Sequence, residues 1–252
     1  MKTIATRATG IFLLAALLAA CDNNDDPVVA TPTPTPAPAP APDPVMVDFE
    51  VTVTNLTASQ PLSPVAVIVH SDVYEVFTIG EAASEGLEIL AEGGDNSSLI
   101  AEADAETSVT ATASGEGIIP PGGSETVTVS ILEDELTGLQ LSAVTMLVNT
   151  NDAITGLRNV AIDGLADGDS ERRTTITYDA GTEANTEAAG TIPGPADGGE
   201  GFNAARDDLA DEVRGHTGVV SGDDGLGTSV LGEEHRWDNP TTRITITRVT
   251  SS

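Results

Sequence analysis

Ser142-Ala-Val-Thr-Met-Leu-Val-Asn-Thr-Asn-Asp152 and, after a gap, Thr174-Thr-Ile-Thr-Tyr-Asp-Ala-Gly-Thr-Glu183 decide how this chain is read. In the first run Val144, Met146 and Val148 alternate and end in the polar segment Asn149-Thr-Asn-Asp152. In the second Ile176 and Tyr178 alternate and end at Asp179. Both read as strands that open into acidic loops. Two such strands can bring Asp152, Asp179 and Glu183 together, and oxygen ligands on loops suit a hard cation such as calcium. Two ordinary polar turns explain the same residues, because Asn, Asp and Gly dominate turns. Spacing leaves both readings open.

Outward from these runs the same period recurs. Phe49, Val51 and Val53 alternate with polar residues, as do Val127, Val129 and Ile131, and Ile244 and Ile246 near the end. Val65-Ala-Val-Ile-Val-His70 is a denser apolar run and predicts a buried strand. His70 at its end reads as a hydrogen-bonded strand-end residue, with a ligand as the alternative. Tyr74 to Thr78 is read as continuing the sheet. Thr107 to Ala113 and Gly156 to Ile162 add short strands, and Thr174 to Tyr178 is read as one strand. Glu81 to Glu92 predicts a helix, with Leu87, Leu90 and Ala91 on one face and Gly93-Gly94 to stop it. Ser97 to Glu106 predicts a further turn or two, and Ala204 to Val213 another helix-like piece. Many strands and few helices predict a mainly β fold, an antiparallel β-sandwich with one or two short helices.

The chain has 252 residues, 10 basic and 40 acidic, and a formal charge of -30. That charge argues against nucleic acid as a partner, because phosphates would be repelled. Met1 to Ala20 reads as a signal peptide, with Lys2 and Arg7 before the apolar run Ile11 to Ala20. Leu18-Ala-Ala-Cys21 resembles a bacterial lipobox, so Cys21 is the expected lipidated N-terminus; an ordinary signal peptide with an incidental Cys is the alternative. Cys21 is the sole cysteine, which leaves no thiol for a disulfide, a zinc site or a nucleophile. Residues 21–46 read as the lipidated Cys and a disordered Pro-rich tether, since alternating Pro favours extended polyproline geometry. Residues 47–252 then form one domain. The acids in 163–171 lack the EF-hand spacing and read as a solvated loop. The apolar-poor segment 184–232 is long for a loop inside a compact domain, and such loops are often functional.

Met146-Leu-Val-Asn-Thr-Asn-Asp152-Ala-Ile-Thr-Gly156-Leu157, Tyr178-Asp-Ala-Gly-Thr-Glu183 and Ile192-Pro-Gly-Pro195 resemble the N-terminal domain of the spondins. Phe49 to Leu56, Leu62-Ser-Pro64, His70-Ser71 and Arg243 to Val249 fit the same pattern. The resemblance runs from about Phe49 to Val249. It implies a C2-like sandwich used extracellularly for adhesion and recognition, with calcium at Asp152, Asp179 and Glu183. Glu stands at 183 where an Asp is common in the animal proteins, which keeps the ligand type and lengthens its reach.

The sequence therefore predicts a non-enzymatic, lipid-anchored binding module of the bacterial cell envelope, periplasmic or at the cell surface. It would be a monomer, attached to the membrane through Cys21, with a glycan or protein as its surface ligand. Two alternatives stand beside this. A hydrolase could draw on the abundant carboxylates, although no nucleophile-elbow motif is present. A purely structural envelope lipoprotein would owe its acidity to salt adaptation.

Overall fold

The computed structural model describes residues 43–206 and 210–250. The expected signal peptide, the lipidated Cys21 and most of the Pro-rich tether lie outside the described residues. Residues Asp43–Ser252 make one compact unit.

Among the described residues ten strands form two antiparallel sheets. The four-stranded sheet contains β1 (Met46–Asn55), β4 (Ser124–Leu132), β7 (Ser170–Thr175) and β10 (Thr242–Thr250), in the order β4-β1-β10-β7. Its two central strands come from opposite ends of the domain. Val47 to Asn55 of β1 pair residue for residue with Thr250 to Thr242 of β10. The alternation predicted for both holds: Phe49, Val51, Val53, Ile244 and Ile246 are buried.

The six-stranded sheet runs β3-β2-β5-β6-β8-β9. Its strands are β2 (Ala66–His70), β3 (Val109–Ser114), β5 (Gln140–Met146), β6 (Ala153–Ala161), β8 (Thr177–Asp179) and β9 (Arg214–Gly215). Its inner face, with Val67, Val69, Leu141 and Leu157, packs on the smaller sheet. Its outer face, with Ile68, Val144 and Ile154, is covered by Leu87 and Leu90 of α1 (Glu85–Gly93) and Leu99 and Ala103 of α2 (Ser97–Asp104). This helical layer explains the dense apolar run of β2 and the burial of β5 on both faces, Ser142 and Thr145 included. Ser84 caps α1 by accepting from Leu87 N–H, and Gly94, at φ 73°, ends it in the left-handed conformation.

Three sequence expectations are corrected. Tyr74 to Thr78 forms no strand; Val76 and Phe77 are buried against the helical layer instead. Among the described residues Ala204 to Val213 forms no helix, and its end leads into β9. Thr174 to Tyr178 is not one strand. It breaks at Ile176, with β7 in one sheet and β8 in the other. Ile176 is exposed, while Thr175, Thr177 and Asp179 are buried. The buried face here is polar: Thr155 Oγ1 lies 2.7 Å from Thr175 Oγ1 and 2.9 Å from Thr241 Oγ1, and donates to Ile176 C=O at 3.0 Å. Hydroxyls that satisfy one another can be buried without the cost of lost hydrogen bonds.

Candidate metal centre

β6 and β8 place the predicted carboxylates at one end of the large sheet. Ala153, the first residue of β6, lies opposite Asp179, the last residue of β8. Asp152 is therefore beside Asp179 across the ladder, and Ala180 N–H donates to Asp152 C=O at 3.2 Å. The chain then turns at Gly181, which has φ 74° and donates its N–H to Asp179 Oδ1 at 2.9 Å. A Cβ at this position would stand 2.3 Å from Glu212 C=O, so only glycine fits. The turn aims two backbone donors at Asp152: Thr182 N–H and Glu183 N–H reach its Oδ2 at 2.9 and 3.1 Å.

All three acids are buried, Asp152 completely. Asp179 Oδ2 accepts from Asn185 Nδ2 at 2.5 Å and pairs with Arg214 Nη2 at 3.2 Å. Glu183 Oε1 accepts from Asn151 Nδ2 and from Arg206 Nη1, each at 2.8 Å. A fourth carboxyl, Glu92 in the last turn of α1, is also fully buried. Its Oε2 accepts from Asn203 N–H at 2.9 Å, and its charge bears on Glu183. In the sequence Glu92 reads as a helix-end residue, and neither its part here nor those of Arg206, Arg214 and Asn151 is evident there.

Asp152 Oδ1, Glu183 Oε2 and Glu92 Oε1 are buried without a hydrogen-bond partner. Burial drives the electrostatics. It pushes the Asp152 carboxyl up to about 7, with the Asp179 charge adding and the N–H donors of Glu183 and Thr182 opposing. Glu183 also rises to about 7 through burial, opposed by Asn151 and Arg206. Burial raises Glu92 too, against the Asn203 N–H bond. Among the described residues, four carboxylates when ionised face the two guanidiniums of Arg206 and Arg214, a surplus of two negative charges. Ionised, these buried oxygens are acceptors without donors. Among the described residues no group of three or more His, Cys, Asp or Glu side chains is arranged to hold a metal. Asp179 and Glu183 are turned instead to their arginines.

The other candidates stand apart. His70 donates from Nδ1 to Ser71 C=O at 2.7 Å, so its Nε2 accepts from Ser142 Oγ at 2.8 Å, as expected of a strand-end histidine. Asp163 and Asp169 accept from Gly138 and Ala166 N–H in an exposed loop.

Residues 55–190 match the Spondin_N family model. The chain belongs to this family. The match spans both halves of the carboxylate cluster and three further residues on it, Glu92, Asn151 and Thr182. Arg206 and Arg214 lie beyond it. No curated protein matches the chain. The spondin family indicates an extracellular binding or adhesion module. Among the described residues no helix is long and apolar enough to cross a membrane.

Proposed function

We propose that this spondin domain is a calcium-dependent, lipid-anchored binding module of the bacterial cell envelope. The observation that carries the cation is the fully buried Asp152 carboxyl, whose Oδ1 has no donor although Asp179 and Glu183 stand beside it. Calcium would be held by Asp152, Asp179 and Glu183, with backbone carbonyls and water completing its oxygen shell. The ion would supply the missing positive charge and fix the 179–183 turn against β6. Its role is binding and ordering. The module is not an enzyme in this reading; the Ser142–His70 pair is sealed from solvent on both sides. The surface ligand is a glycan or protein, the acidity argues against nucleic acid, and the chain acts as a monomer.

Calorimetric titration with calcium at fixed ionic strength tests the site. Asp179→Asn keeps the shape and removes one charge, so binding should weaken at least tenfold. Asp167→Asn, in the exposed loop between β6 and β7, should leave it within twofold. Equal loss in both variants would reduce the effect to general acidity.

The anchor rests on the lipobox ending at Cys21, the chain's sole cysteine. Cys21→Ser should move the protein from the membrane fraction to the soluble one, or stall its processing. Unchanged partitioning and processing would remove the anchor from this account.

A further inference from the structure

Trp237 is the only tryptophan of the chain. It is half-buried, packed between the main core and a small cluster of Ile192, Val219 and Leu231. It lines a groove of about 640 Å³ on the loops that follow β1 and β9 and precede β10. The lining is two-sided in chemistry. Trp237, Leu56 and Val219 give an apolar surface, while Arg236, Asp238 and Thr217 give hydrogen-bonding groups.

The groove is already ordered. Arg236 Nη2 is held by Asp224 Oδ2 at 2.7 Å. Thr57, also in the lining, donates its N–H to Asn55 Oδ1 at 3.0 Å. The Trp237 ring lies 5.2 Å from the His216 ring, and His216 Nδ1 accepts from Gly218 N–H at 2.8 Å. Arg236 is already neutralised by Asp224, so Asp238 leaves the lining with one negative charge, which disfavours an anion and accepts from hydroxyls. Such a groove suits a neutral ligand with a flat apolar face and a rim of hydroxyls. A pyranose has that shape: its C–H face stacks on an indole, and its hydroxyls both donate and accept. A peptide would instead use a free strand edge or an apolar anchor pocket, and these lining residues lie in loops.

We infer that the Trp237 groove binds a neutral saccharide, with the indole as platform and Arg236 and Asp238 as hydroxyl partners. This rests on the reading of the chain as a binding module and not on the cation. The test titrates the mature full chain with a panel of neutral oligosaccharides, chitotriose, cellotriose, maltotriose and mannotriose, following the emission of its single tryptophan. At least one sugar should shift that emission saturably. Asp238→Ala, at an exposed position, should weaken binding several-fold. Trp237→Ala, read by calorimetry, should weaken it at least tenfold. A panel without any saturable response overturns the inference. So does unchanged affinity in a cooperatively melting Trp237→Ala or in Asp238→Ala. Sugar binding without any response to calcium would sink the cation site alone, and the reverse result would sink this groove alone.

Discussion

A chain ending at Thr242 should not fold. Residues 243–250 carry most of β10, which lies between β1 and β7 and is an inner strand of its sheet. Deleting them removes Ile244 and Ile246 from the core, each worth about 1.5–3 kcal/mol of burial. It also strips the ladder from one side of β1 and isolates β7, which among the described residues pairs with β10 alone. The exposed inner face would include Phe49, Val51 and Val53. Domain stability is typically only about 5–15 kcal/mol, so the sum of these losses is comparable to the whole. Expression of residues 43–242 should give aggregate, or a soluble chain without a cooperative thermal transition. A truncated protein melting cooperatively near the parent temperature would refute the central place given to β10.

The smaller sheet was legible because hydrophobic residues mark its inner face: Phe49, Val51 and Val53 repeat at period two, and so do Ile244 and Ile246. β2 was legible as a buried strand, and its dense apolar run is explained by the helical layer on its outer side. The break at Ile176 was not legible, because the face that points inward there carries threonines. Hydropathy then selects Ile176, the exposed residue, and misses Thr175 and Thr177. The site was half legible. Asp152, Asp179 and Glu183 follow from strand ends and a glycine turn. Arg206 and Arg214 sit in a polar segment with no periodicity, and their one sequence signal is scarcity, since the chain has 10 basic residues against 40 acidic. Glu92 had a signal that went unused: a carboxylate in the last turn of a helix opposes the macrodipole, and something else must account for it there.

Calcium and protons should act on stability in opposite directions. Asp152 and Glu183 have folded-state values near 7, above ordinary carboxylates at about 4. The folded state therefore binds more protons than the unfolded chain between about pH 4 and 7. Without calcium, their contribution is fully present below about pH 4 and is lost as pH rises through 7. Above pH 7 both are ionised in a buried site with surplus negative charge, where a cation gains most. Calcium at a hundredfold excess over Kd adds about 2.7 kcal/mol, or about 5–10 °C in Tm for a domain of this size. At pH 5.5 the ion must compete with protons, so the gain should shrink to a small fraction. Magnesium, which demands tight octahedral geometry, should substitute poorly.

The direct measurement is the thermal melt of residues 43–252 at pH 5.5 and pH 8, each with and without calcium at fixed ionic strength. A bound calcium should shift Tm well upward at pH 8 and little at pH 5.5. An unmoved Tm at pH 8 would contradict the cation site.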